Sequence, residues 1–113
     1  MEKEPLTWQD FSKVDMRIGT IIKVENFPEV RNPAYKIWVD FGEEIGVKKT
    51  SAQITALYNK EKLVGNQIVA VINFPPKQIA NMLSECLILG GVDGKEVILL
   101  QPEQKAKNGL RVG

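Results

Sequence analysis

The sequence predicts a small all-β barrel, and three observations point there. Short runs of alternating apolar and polar residues recur along the chain, with Gly, Pro, Asn and Asp between them. A glycine, Gly19, interrupts an otherwise regular strand pattern, as happens where a sheet bends into a barrel. The run Ile68–Leu89 reads as two apolar strands, Gln67–Asn73 and Ser84–Leu89, parted by Pro75-Pro76-Lys77. Proline cannot donate to a sheet ladder, so the first of these strands must stop at that corner.

Taken in order, residues 1–6 form a lead-in, and Thr7-Trp8-Gln9-Asp10-Phe11 predicts one helical turn. Thr7 can cap it, and Asp10 lies in the first turn, where the helix dipole favours an acid. Trp8 and Phe11 share a face expected to plug one end of the core. Asp15–Val24 is a strand with Met16, Ile18, Ile22 and Val24 on one face and Arg17, Gly19, Ile21 and Lys23 on the other. Asn26–Pro33 is a loop. Ala34–Phe41 alternates cleanly: Tyr35, Ile37, Val39 and Phe41 face a core, while Lys36 and Trp38 point outward together. An outward Trp beside a Lys is a subunit contact or a stacking platform.

Gly42–Gly46 is a turn, and Val47–Ser51 a short strand. Ala52–Tyr58 has helical spacing at Ile54, Leu57 and Tyr58, with Ser51 as its N-cap. Lys48 and Lys49, just before that helix start, would make an anion site with its free amides. Asn59–Asn66 is a polar connection, Gly90–Gly94 a turn by composition, and Val97–Leu100 the last strand of the body. Gln101–Gly113 is a polar tail; Leu110 and Val112 within it predict docking. About six short strands with one helix between the third and fourth match a five-stranded OB-type Greek-key barrel.

Composition narrows function. The 113 residues suit a single domain, with a core over residues 7–100 or so. Net charge is +1, so any nucleic-acid contact must rest on a local patch and be salt-sensitive. There is no histidine, which removes the commonest general base and the commonest transition-metal ligand. Cys86 is the single cysteine and reads as a small buried hydrophobe. Glu43-Glu44 is the only adjacent carboxylate pair, and neighbouring side chains diverge. The expectation is a binding protein, without catalytic residues, metal or cofactor. No apolar run approaches the roughly 20 residues of a membrane span, and the charged N-terminus lacks a signal peptide's apolar stretch; a cytoplasmic location follows by default.

Five segments together resemble a known family: D-F-S-K-V-D-M-R-I-G-T-I (10–21), N-P-A-Y-K-I-W-V-D-F-G-E-E-I-G (32–46), K-K-T-S-A-Q-I-T-A-L-Y (48–58), N-F-P-P-K-Q-I-A (73–80) and S-E-C-L-I-L-G (84–90). They resemble the tRNA-binding domain family, the OB-type module appended to methionyl- and phenylalanyl-tRNA synthetases and found in free-standing proteins. One stand-alone branch is described as a secretion-related chaperone. The resemblance implies a homodimeric OB fold that binds tRNA or structured RNA. The positions it matches to the RNA-facing surface are Lys36, Lys49, Ser51, Asn73, Lys77, Ser84 and Glu85. The chain reads Ser51-Ala52-Gln53 where the broader pattern has Ser-Gly-Leu, and Ser84-Glu85-Cys86-Leu87 where it has Ser-x-Gly-Met. Both changes suit the stand-alone branch. In the RNA reading, Lys36, Lys49 and Lys77 meet phosphates, and Gln53, Asn73 and Ser84 meet base or sugar edges. Glu85 would repel phosphate but could accept a hydrogen bond. In the alternative reading, unfolded or exported polypeptides occupy a groove of Trp38, Phe74, Pro75 and Met82, with Asn73 and Glu85 bonding the peptide backbone.

Overall fold

The computed structural model describes residues 3–113, so residues 1 and 2 of the expected lead-in lie outside the described residues. Residues 3–6 carry neither helix nor strand. The first helix, α1 (Trp8–Ser12), is the expected single turn, with the Asp10 amide donating to Thr7 Oγ1 at 3.0 Å. Its predicted plugging face is absent: no residue of α1 is buried, and Trp8 is 87% exposed.

Five strands curl into a nearly closed barrel. They are β1 (Met16–Asn26), β2 (Tyr35–Asp40), β3 (Val47–Ala52), β4 (Gln67–Val71) and, after an intervening hairpin, β7 (Leu87–Ile88). Their order is β3-β2-β1-β4-β7, with antiparallel neighbours. The hairpin is β5 (Lys77–Ile79) with β6 (Met82–Ser84), turned at Ala80, whose φ is +50°. The predicted strand Ser84–Leu89 is therefore split between β6 and β7. The inner faces pack Ile21, Ile37, Val39, Phe41, Ile68 and Ala70, each 1% exposed or less. Alternation along β2 is as the sequence predicts.

The bend in β1 lies three residues beyond the expected one at Gly19. Pairing with β2 runs Ile21↔Val39 and then Lys23↔Trp38, so Ile22 is an extra residue, a bulge. It switches the inward parity: Ile21 is buried, Ile22 is exposed, and Val24 returns toward the core. Gly19 serves packing instead. A Cβ there would sit 2.6 Å from Val39 Cγ1 and 2.7 Å from Phe41 Cδ1, so only glycine lets these strands close so tightly.

The helix between the third and fourth strands exists but is displaced. Ala52 still pairs with Tyr35 in β3, residues 55–57 are a turn, and α2 is Lys60–Leu63. Asn59, rather than Ser51, caps it, accepting from the Lys62 amide at 2.8 Å. Leu63 buries completely in the barrel. Ile54 and Tyr58 contact the core without forming a helix: the Tyr58 hydroxyl holds the Leu99 amide, and its carbonyl accepts from the Tyr35 hydroxyl at 2.8 Å. The Lys48-Lys49 pair thus precedes no helix start, which removes the predicted anion site.

Gly90–Asp93, expected as a turn, is strand β8, paired with β9 (Glu96–Leu99); only Gly94, at φ +61°, keeps turn geometry. The tail docks as predicted. Its end, β10 (Arg111–Val112), pairs with β1. The Gln67 side chain makes two hydrogen bonds to the backbone of Ala106, at 2.7 and 2.8 Å, and Thr20 donates to Asn108 Oδ1 at 2.7 Å. Among the described residues, no helix is long and apolar enough to cross a membrane, and no cluster of His, Cys, Asp and Glu could hold a metal ion.

Candidate nucleic-acid interface

The outer face of β1, β2 and β3 carries two cross-strand rows. Register places Lys23 beside Trp38 and Trp38 beside Lys49; next to them, Glu25 lies beside Lys36 and Lys36 beside Ser51. Residues so paired stand about 5 Å apart. The Lys23 ammonium sits over the Trp38 ring, 4.6 Å from its centroid, and 3.3 Å from Glu25 Oε2. The Lys36 ammonium lies 4.9 Å from the centroid of the buried Phe27 ring. Sequence reasoning missed Lys23. Strict alternation grouped it with the buried Ile21, and only the bulge at Ile22 turns it outward.

The barrel closes where β3 meets residues 84–86. The Lys49 amide donates to Glu85 Oε1 at 3.0 Å, and the Glu85 amide donates to the Lys49 carbonyl at 2.8 Å. Thr50, 1% exposed, donates from Oγ1 to the Cys86 carbonyl at 2.7 Å and shares a 3.1 Å hydrogen bond with Ser84 Oγ. Ser84 pairs in register with Lys77 across the β5–β6 hairpin. Lys36, Lys49, Ser51, Lys77 and Ser84 therefore lie on adjoining strands, with Glu85 in the link that follows β6. Glu85 and Ser84 do structural work there, since one carboxylate oxygen and the hydroxyl are engaged inside the protein.

The remaining candidates are placed differently. Asn73 follows β4 at the end of the sheet where Glu85 and Cys86 enter β7. Both its polar ends are engaged: Nδ2 donates to the Lys13 carbonyl at 2.7 Å, and Oδ1 accepts from the Asp15 amide at 3.0 Å. Gln53 lies beyond the end of β3, in a groove of about 430 Å³ formed with Asn32, Pro33 and the β8–β9 hairpin. Of the expected apolar groove, Phe74 is 56% exposed and Pro75 is exposed, but Met82 is buried and cannot line an open surface. Trp38 is half-buried. Cys86 is buried, and burial pushes its thiol up to about 12. Such a thiol is inert as a nucleophile at neutral pH.

Comparison with known proteins gives this arrangement its relatives. Residues 16–111 match the family model described as "Putative tRNA binding domain". The crystal structure of chaperone CsaA from Bacillus anthracis is similar at 49% identity, over 97% of this chain and 100% of that one, with a TM-score of 0.93. CsaA chaperone protein from Picrophilus torridus is similar at 48% identity, over 96% and 100%, with a TM-score of 0.91. The methionine–tRNA ligase of Thermococcus kodakarensis is 33% identical over 109 residues, covering 96% of this chain. The chain spans only 14% of that ligase's length, and 15% of the Pyrococcus horikoshii enzyme. The matched segment includes the β1–β2–β3 face, the closure at residues 84–86 and the docked tail. The chain belongs to the tRNA-binding domain family, in a form resembling the stand-alone CsaA proteins.

Proposed function

We propose that this domain binds tRNA or structured RNA, without catalysis, on the ledge formed by the outer face of β1, β2 and β3 and the β5–β6 hairpin. One observation carries the reading: the register that sets Lys49 beside Trp38, Lys36 beside Ser51 and Lys77 beside Ser84 gathers scattered lysines onto adjoining strands. A chain of net charge +1 has no overall field to hold a polyanion, so such a local cluster must supply the attraction. Lys36, Lys49 and Lys77 meet phosphates; Ser51, with the free capacity of Ser84, meets sugar and base edges. Gln53 extends the contact at its margin, and Asn73, with both polar ends engaged by Lys13 and Asp15, braces the adjoining edge. The protein acts as a cytoplasmic homodimer, because two ledges held together gain avidity that one modest patch lacks.

Titration of the protein with bulk tRNA at low and moderate salt tests the reading. Binding should be measurable at low salt and fall as salt rises. Absence of binding at low salt ends it.

A second reading has its own support. The similar proteins from Bacillus anthracis and Picrophilus torridus are described as chaperones, and Phe74 stands exposed at the Pro-Pro corner beside Pro75. Unfolded or exported polypeptides would then occupy Trp38, Phe74 and Pro75, with Glu85's remaining oxygen accepting from a peptide amide. Such binding would scarcely respond to salt.

A further inference from the structure

We propose that Trp38 is a stacking seat for one unpaired RNA base, covered in the free protein by the Lys23 ammonium. The inference rests on the RNA reading and narrows its ligand to single-stranded segments such as loops and ends. Three observations carry it. Trp38 lies on the outer face, flanked in register by Lys23 on β1 and Lys49 on β3. The Lys23 ammonium rests on the ring at 4.6 Å, so an accessible π face is already occupied by a cation. The bulge at Ile22 is what turns Lys23 outward to that position.

A base stacking on Trp38 takes the place of the Lys23 ammonium. Among the described residues, the ammonium's one ion pair is with the exposed carboxylate of Glu25, at 3.3 Å, so a long flexible side chain can swing it to the phosphate that follows the base. Lys49, on the other side of the ring, is placed for the phosphate that precedes it. One aromatic face between two cations is the arrangement that reads an unpaired nucleotide without regard to its identity, because every base has a π face. A duplex keeps its bases stacked on each other and offers the ring nothing.

The test uses the full chain with Trp8→Phe, which leaves Trp38 as the only tryptophan; Trp8 is 87% exposed, so its replacement leaves the fold unaltered. Trp38 emission is followed during titration with a single-stranded oligoribonucleotide, with an RNA duplex of equal phosphate number, and with an unfolded polypeptide. Single-stranded RNA should quench Trp38, and the duplex should not. Trp38→Ala should weaken single-strand binding about tenfold, Trp38→Phe should restore most of it, and circular dichroism checks that both fold. Equal quenching by duplex, or unaltered affinity in a folded Trp38→Ala protein, overturns the stacking seat. So does quenching by the polypeptide alone. Bulk tRNA binding with Trp38 silent removes this inference and leaves the RNA reading standing, whereas failure of every RNA to bind removes both.

Discussion

Lys49 and Glu85 are joined by two hydrogen bonds that share a residue pair but differ in kind. One runs backbone to backbone, from the Glu85 amide to the Lys49 carbonyl; the other runs from the Lys49 amide to the Glu85 carboxylate. The acid thus supplies the second acceptor that a regular strand would have supplied as a carbonyl. It fastens the barrel's open seam between β3 and residues 84–86. The same contact fixes the Lys49 backbone, and so the direction of a side chain on the proposed ledge.

Glu85→Ala should therefore act on stability first. It leaves a half-buried amide without its acceptor, at a cost of about 1–3 kcal/mol. Glu85→Gln keeps an oxygen in place and should lose less. Urea unfolding checks this: the midpoint should fall with the slope m unchanged. If Glu85→Ala unfolds at the wild-type midpoint, the seam does not depend on the carboxylate.

Asn73 invites the same separation of roles. Its amide bridges the Lys13 carbonyl and the Asp15 amide, tying the segment after α1 to the end of β4. Asn73→Ala should cost about 1–2 kcal/mol. It should also raise hydrogen exchange at the Asp15 amide while shifting RNA affinity only slightly. A marked loss of RNA affinity with unchanged stability would instead make Asn73 a direct ligand contact.

The barrel was legible in the sequence because its signals are local. Alternation in Tyr35–Asp40 predicts its faces, the Pro75-Pro76 corner ends a strand, and Leu110 and Val112 predict a docked tail. What was not legible depends on partners far along the chain. The bulge at Ile22 is a property of β1 pairing with β2, and it parts Lys23, which stands in the outer row, from Ile21, which strict alternation puts on the same face and which is buried. Helical spacing at Ile54, Leu57 and Tyr58 was overridden: Ala52 stays in β3, paired with Tyr35, and the helix starts later, capped by Asn59. Trp8 reads as core by type, but α1 packs no buried face. The lysines of the ledge are visible one by one; their adjacency is a matter of register.

The buried Cys86 thiol gives stability a pH dependence of known sign. Burial holds its pKa near 12, against 9.0 for the free group; Glu85 pushes the same way, and Lys48 and the Thr50 contact oppose. Below pH 9 both folded and unfolded chains keep the proton, and nothing is lost. Above pH 9 the unfolded chain releases it while the folded chain holds it, so stability falls as pH rises toward 12. The slope attributable to this group is about 1.4 kcal/mol per pH unit. Cys86→Ala removes the group, at the cost of a small cavity. The measurement is the difference in unfolding free energy between the two proteins from pH 8 to pH 10.5: the wild type should lose stability faster above pH 9. Parallel curves would mean that the thiol ionises in the folded protein near its free value.

The ledge itself makes the sharpest quantitative claim. Each lysine that neutralises a phosphate releases a counterion, so removing it should lower the slope of log affinity against log salt by about 0.7–0.9. Lys49→Ala and Lys77→Ala should each show that reduction with bulk tRNA, and each should weaken binding severalfold at low salt. Lys36→Ala should behave alike, with a further effect from the loss of its contact with Phe27. Lys62→Ala, on α2, serves as the control of equal charge change and should leave the slope unaltered. Folding is checked by urea midpoint in each case. The pattern matters more than any one value, because net charge falls identically in all four variants. A slope that drops equally for Lys62 would mean that RNA responds only to overall charge. A slope that drops for Lys36, Lys49 and Lys77 alone places the phosphates along β2, β3 and the β5–β6 hairpin.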